Sequence, residues 1–147
     1  MAPTGRLRAG IAVGSAISAT WAKRDAKTGQ PVGPTVDLAT IFAGRTGLPL
    51  ALVEYGSSGE IIKAAASGGW DVAFTPVDEE RKAIVDFGPT FALGESTYMV
   101  PKGSAISKLG DVDRPGARIF GVENTATIRA SRRSRSEERR VGKECRL

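Results

Sequence analysis

The segment from Gly69 to Phe91, GWDVAFTPVDEERKAIVDFGPTF, constrains the fold more than any other part of this chain. It begins with Trp70–Phe74, a nearly continuous apolar run of the kind found in strands buried on both faces of a parallel sheet. The run ends at Thr75-Pro76, and an acidic turn then leads into a predicted helix that carries Arg81. A strand end, free backbone donors and a lone helical arginine so close together suit a site that captures a small carboxylate.

Strands and helices are predicted to alternate through the residues before this segment. Apolar periodicity distinguishes the two types of element, and turn residues separate them. The order strand, helix, strand, helix, strand predicts an α/β layer with right-handed crossovers. The elements are strands at Leu7–Val13 and Leu48–Tyr55, a surface turn or hairpin at Asp25–Pro34, and helices at Thr35–Thr46 and Gly59–Ser67.

The elements predicted after Pro89 are shorter. Phe91–Pro101 is extended, and Ile106–Val112 suits one short helix. Ala117–Val122 is a β-prone run, and Thr125–Ala130 would begin the following helix.

The charge of the chain is concentrated at its end. The net charge is +5 over 147 residues, but residues 1–130 hold 14 Lys and Arg against 13 Asp and Glu, a net of +1. Residues 131–147 hold 7 basic and 3 acidic residues, a net of +4, and the only cysteine, Cys145. The length suits one domain, and 41% apolar residues is an ordinary globular content.

We expect residues 131–147 to be non-native, because RSEERRVGKECR resembles the translation of an adapter or vector read-through. Two alternatives stay open for this tail. One is a solvated, disordered charge run. The other is a basic arm that attracts phosphate backbones.

Signals for catalysis, metal binding and membrane insertion are missing from the sequence. There is no histidine, which is the commonest general base and metal ligand. No nucleophile elbow, Walker loop or dinucleotide fingerprint is present. The adjacent acids Asp78–Glu80 would face different directions on a helix, which disfavours a metal or catalytic site. We therefore predict no enzyme, no cofactor and no metal. No run of apolar residues approaches the length of a membrane span, and the N-terminus lacks a signal-peptide pattern. We therefore expect that the chain is intracellular, or that its export signal has been removed or was never included.

Each candidate binding residue also has a plain structural interpretation. Thr75 offers a hydroxyl beyond a strand end, where ligands bind in open α/β sheets, or it merely ends the strand. Arg81 opposes the helix dipole and so needs an anionic partner, either a neighbouring acid or a ligand carboxylate. Thr125, after Asn124, opens a helix whose amides could bind an anion, or it is an ordinary N-cap. Tyr55 and Trp21 could line a site, or they could be core or rim residues.

Residues 6–130 resemble the type II periplasmic binding proteins, specifically the amino-acid-type solute-binding proteins of ABC importers (bacterial extracellular solute-binding family 3). The segment WDV followed by ERKAIVDF is the most specific part of the resemblance. The motifs follow the order of that family: LRAGIAVG, GPTVDLATIFAGRTGLPLALVEY, AAASGGWDVAFTPVDEERKAIVDFGPTF, YMVPKGSAISKLGDV and ARIFGVENTA.

The resemblance implies two α/β lobes that close on a ligand at a hinge. The fold class is then a lobe with a central mixed, mostly parallel sheet flanked by helices, with the second lobe incomplete. Residues 1–97 would be the first lobe, 98–103 the hinge crossing and 104–130 the beginning of the second lobe. Arg81 would grip the ligand α-carboxylate, Thr75 would supply first-lobe donors, and Thr125 with Ala126 would supply second-lobe amides. Ser15, after the first strand, and Tyr55 complete the expected ligand-binding set.

Three departures from the family pattern are visible. The loop between Trp70-Asp71 and Arg81 is short, Asn124 stands where a glycine is common, and the first-strand loop SAISATW lacks a proline-aromatic pattern. They affect the first-lobe donors, the second-lobe amides and the side-chain end of the site, respectively.

The function implied is that of a periplasmic solute-binding component that delivers a small polar or amino-acid-like solute to an ABC permease. We expect a monomer that does not bind nucleic acid. Because the chain resembles a C-terminally truncated member, we expect it to bind amino acids more weakly than micromolar. The alternatives are a lyase of the cyclohexadienyl dehydratase type, the ligand-sensing module of a receptor, and a basic nucleic-acid binder.

Overall fold

The computed structural model describes residues 4–113 and 115–134. The chain forms two compact units, which divide between Ala92 and Leu93. The lobe, hinge and tail boundaries expected at residues 97, 103 and 130 stay predictions. Cys145 and the rest of the expected tail beyond Ser134 lie outside the described residues.

A mixed sheet forms the centre of the first unit. Its strands are β1 (Leu7–Gly14), β2 (Trp21–Arg24), β3 (Pro31–Val32), β4 (Leu50–Tyr55) and β5 (Val72–Ala73). Strand β1 pairs in parallel with β4 on one side and with β2 and β5 on the other. Strands β2 and β3 form an antiparallel hairpin, the second of the two alternatives predicted for residues 25–34. These pairings confirm the predicted α/β class with a mixed, mostly parallel sheet.

Strand β1 can lie at the centre of this sheet because its middle residues, Ala9–Val13, are small or aliphatic. Ala9–Ala12 are all buried. A Cβ atom added to Gly10 would lie 3.2 Å from the Cβ of Ala73 and 3.3 Å from the ring of Trp70. The glycine therefore permits the close approach of β5 and of the tryptophan that precedes it.

The described residues form four α-helices, and their ends follow ordinary capping chemistry. They are α1 (Pro34–Thr46), α2 (Ser58–Ala65), α3 (Glu79–Lys82) and α4 (Ala126–Ser134). Helix α1 begins with a proline and ends before Gly47, whose φ of 69° is left-handed. At α2 the hydroxyl of Ser57 accepts a hydrogen bond from the Glu60 amide at 3.2 Å. The helices predicted at 35–46 and 59–67 are confirmed, and so is the helix that begins near Thr125.

The strand predicted at Trp70–Phe74 is wrong in its length and burial. Only Val72–Ala73 pair as a strand, and all five residues are half-buried. The reason is that β5 pairs only with β1 among the described residues, over two positions. The carboxylate of Asp71 turns to the side chain of Arg8 before the strand begins.

Two predictions for the second unit are also wrong. Residues 117–122 form no strand, and Phe120 is 74% exposed, because no other strand lies in the described part of this unit to pair with them. The helix predicted at Ile106–Val112 is only a 3₁₀ turn at Leu109–Val112. Its start is fixed by Asp111, whose carboxylate accepts hydrogen bonds from the amides of Ser107 and Lys108.

In the part of the chain that the structure describes, none of the helices combines the length and the apolar character required to cross a membrane.

Candidate functional site

Arg81 lies in the interior of the first unit and is 2% exposed. Its Nη1 donates hydrogen bonds to the Thr75 hydroxyl at 2.6 Å and to the Pro76 carbonyl at 2.9 Å. Its Nη2 donates to the Ser58 hydroxyl at 2.9 Å. Its Nε lies 3.5 Å from a carboxylate oxygen of Asp78. Protein groups from three segments therefore surround one guanidinium.

Helix α3 is short, and its N-cap determines where Arg81 points. Asp78 is extended, with φ of −152°, and its Oδ1 accepts a hydrogen bond from the Arg81 amide at 3.0 Å. This is the usual geometry of an aspartate N-cap. The cap holds Arg81 one turn into the helix, facing back towards the end of β5. Thr75 and Pro76 therefore meet the guanidinium although they precede it by only six and five residues.

The sheet topology brings Ser58 to the same place. Strands β4 and β5 both run parallel to β1, so their carboxyl ends lie at the same edge of the sheet. Ser58 opens the helix after β4, and Thr75 follows β5. Ser58 is 4% exposed, and its hydroxyl accepts from the guanidinium across 23 positions of sequence.

Two residues around the guanidinium were not assigned to the site by the sequence interpretation, Asp78 and Ser58. The sequence predicts Ser58 only as a candidate N-cap, and its neighbour Ser57 performs that role. The available signal was the pair of serines directly after a strand parallel to β5. Polar residues after neighbouring parallel strands tend to meet at one edge.

The Arg81 group can act as an anion site with an internal counter-ion. The side chains of Arg81 and Asp78 are 2% and 3% exposed, so the pair is shielded from water. A guanidinium in such surroundings interacts more strongly with a carboxylate than it does at the surface. The planar fork of its N–H groups also matches the geometry of a carboxylate.

Tyr55 and Ser15 lie elsewhere in the first unit. Tyr55 ends β4 and is half-buried, and its burial raises the pKa of its hydroxyl. That hydroxyl lies 3.0 Å from the position that a Cβ at Gly69 would take, so it faces the turn before β5. Ser15 is exposed in the loop after β1. In the described residues neither side chain forms a hydrogen bond with Arg81, so their role in binding stays a prediction.

Thr125 and Ala126 belong to the second unit, at the start of α4. Thr125 is 8% exposed, and its hydroxyl donates to the Val122 carbonyl at 2.7 Å. The same hydroxyl lies 3.4 Å from the Ile128 amide, in the position of an N-cap acceptor. Asn124 before it has a left-handed φ of 59°, which asparagine tolerates better than most residues. The expected contribution of Thr125 and Ala126 to a carboxylate site stays a prediction.

No group of three or more His, Cys, Asp or Glu side chains in residues 4–113 and 115–134 is placed to hold a metal ion.

Comparison with known proteins identifies one family. A family model described as bacterial extracellular solute-binding proteins, family 3, matches residues 11–141. The match covers most of the chain, includes Ser58, Thr75 and Arg81, and continues past residue 130 into the segment expected to be non-native. None of the curated proteins or solved structures compared with the chain matched it.

Proposed function

The chain belongs to family 3 of the bacterial extracellular solute-binding proteins, and we propose that it is the solute-binding component of an ABC importer. The solute is a small amino-acid-like molecule with a carboxylate, and the partner is a membrane permease. The place of action is the periplasm, and the protein is a monomer. The family is chiefly one of binding rather than catalysis, and we propose no reaction.

The observation that supports this proposal is the convergence of Thr75, Ser58 and Asp78 on the guanidinium of Arg81. These groups hold the arginine in one orientation. A binding group that is already fixed loses little side-chain entropy when its ligand arrives, and this favours affinity. The site lies beyond the carboxyl end of β5, which is where open α/β sheets bind ligands.

The proposed binding step is an exchange of partners at Arg81. In this structure protein oxygens accept the hydrogen bonds that the guanidinium donates. When the solute binds, its carboxylate accepts some of these hydrogen bonds instead. The Thr75 hydroxyl, released as an acceptor, can then donate to the same carboxylate. Lysine at position 81 would keep the charge but lose the planar fork of donors.

A calorimetric or NMR titration of the chain with glycine tests this proposal. We expect saturable binding of glycine and none of ethanolamine, which keeps the ammonium group but lacks the carboxylate. Arg81→Lys should weaken glycine binding at least about tenfold, because a bidentate charged contact is lost. Lys82→Gln is the matched control, because it removes a positive charge from the neighbouring, exposed side chain. Equal affinities in the Arg81→Lys variant and the wild type would contradict the proposal.

A further inference from the structure

Two arginines of the first unit bind carboxylates in different ways. Arg8 presents the edge formed by Nε and Nη2 to Asp71, at distances of 3.2 Å and 2.6 Å to its two carboxylate oxygens. This is a complete bidentate pair. At Arg81 the same edge has two different neighbours, because Asp78 lies 3.5 Å from Nε and the Ser58 hydroxyl lies 2.9 Å from Nη2. One carboxylate oxygen and one hydroxyl thus stand where a bidentate carboxylate would bind.

Asp78 is held in this position by a second interaction. Its other oxygen, Oδ1, caps helix α3 by accepting from the Arg81 amide at 3.0 Å. The capping bond does not depend on the contact between Oδ2 and Nε. The carboxylate can therefore give up Nε to an incoming anion and still cap the helix.

The charge of Asp78 acts on any anion that reaches Arg81. The two side chains together are neutral and are both almost fully buried. Charges in such surroundings interact over several ångströms with little screening. An incoming carboxylate is therefore attracted by Arg81 and repelled by Asp78 at close range.

We propose that Asp78 is a specificity-determining residue, a built-in counter-ion of Arg81 that makes the site select zwitterionic monocarboxylates over dianions. The inference rests on the proposed function, because it concerns the charge of the solute that Arg81 accepts. When a monocarboxylate binds, its single negative charge replaces that of Asp78 beside Nε of Arg81. A dianion brings a second negative group that has no positive partner beside the charge of Asp78.

The test compares the affinities of glycine and succinate for three variants of the 147-residue chain at neutral pH, by NMR titration at millimolar concentrations. Asp78→Asn removes the charge and keeps an oxygen that can cap α3. Asp78→Ser does the same with a shorter side chain, and it serves as the second variant if the first folds poorly. Glu79→Gln is the matched control. It removes the same charge at the adjacent position, where the Glu79 side chain is exposed and pairs with Lys82.

We expect Asp78→Asn and Asp78→Ser to bind succinate about tenfold more tightly than the wild type does, with a smaller gain for glycine. The wild type and Glu79→Gln should both prefer glycine. An unchanged ratio of the two affinities in the Asp78 variants would overturn the inference and leave the proposed function intact. An equal gain in succinate affinity in Glu79→Gln would also overturn the inference, since the effect would then come from the net charge of the protein. Failure of glycine to bind any of the variants would overturn the proposed function and the inference with it.

Discussion

The carboxylate of Asp71 binds the guanidinium of Arg8 through two parallel contacts, 3.2 Å from Nε and 2.6 Å from Nη2. The same carboxylate accepts a hydrogen bond from the Arg8 amide at 2.9 Å, and Arg8 also donates to the Gly68 carbonyl. The pair therefore joins the beginning of β1 to the residue before β5. This connection determines where β5 starts, and with it the position of Thr75 three residues beyond.

Asp71→Asn should lower the free energy of unfolding by about 1 to 3 kcal/mol, because a charge-assisted bidentate pair and a backbone acceptor are weakened together. Urea denaturation followed by circular dichroism measures the change. Glu79→Gln breaks an exposed pair with Lys82 and should change stability by less than about 0.5 kcal/mol. Equal effects of the two substitutions would show that the Asp71 pair does not hold β5.

The same pair should make stability depend on acid pH. The side chain of Arg8, which donates hydrogen bonds to Asp71, holds the pKa of that carboxyl below its usual value. A carboxyl whose pKa is lower in the folded state contributes its full stabilisation of the fold at pH values above its unfolded pKa of about 3.9. That contribution is lost as the pH falls through the folded pKa. We therefore expect the urea concentration at the unfolding midpoint to decrease as the pH is lowered below about 4. The decrease should be smaller in Asp71→Asn.

Asp25 provides the comparison for this pH profile. Its pKa is also lowered, first by the backbone hydrogen bond from Thr28. Asp25→Asn should therefore remove a separate part of the same acid dependence. A profile that neither substitution alters would contradict the assignment of the acid dependence to these two carboxylates.

Thr35→Val should leave stability unchanged or raise it by up to about 1 kcal/mol. The Thr35 side chain is fully buried at the start of α1, and its hydroxyl has no hydrogen-bond partner in the described residues. Valine has nearly the same shape and no polar group to satisfy. Thermal unfolding measures the change.

Thr125→Val is the control for that substitution. The Thr125 hydroxyl donates to the Val122 carbonyl and lies in capping position over the Ile128 amide. Its removal should destabilise the second unit by about 1 kcal/mol, the usual effect of losing an N-cap. Destabilisation by both substitutions to a similar extent would mean that the Thr35 hydroxyl has a role that its surroundings do not show.

Ser58→Ala should both destabilise the first unit and reorient Arg81. The substitution removes the oxygen that accepts from Nη2 at 2.9 Å in a buried position, which we expect to lower the free energy of unfolding by about 1 to 3 kcal/mol. Ser67→Ala is the matched control, since the Ser67 hydroxyl donates to the nearby Ala64 carbonyl and the residue is exposed. No difference between the two variants in denaturation would contradict the role given to Ser58.

The sequence predicts the local elements of this fold well, because their signals are local. The proline at the start of α1, the glycine that ends it and the serine that caps α2 are all visible within a few residues. The length of β5 is different, because it depends on pairing with β1, more than 60 residues earlier in the chain. Residues 117–122 carry a strand-like composition, but they have no strand to pair with in the described part of their unit.

The residues of the candidate site also differ in whether the sequence alone could predict them. Arg81 and Thr75 could be predicted because a helical arginine after a strand end is unusual in itself. Ser58 could not be assigned, since its contact with Arg81 spans 23 positions and depends on the parallel order of β4 and β5. The burial of Arg81 and its pairing with Asp78 also follow from packing rather than from spacing.

The Nε–H resonance of Arg81, followed by NMR while glycine is added to the isotope-labelled chain, tests the central claim most directly. If Arg81 binds the solute carboxylate, this resonance should shift saturably with glycine and stay unchanged with ethanolamine. The Nε–H of Arg8, which is already bound by Asp71, should not move in either titration. An unchanged Arg81 resonance under conditions where glycine saturates the protein would contradict the claim.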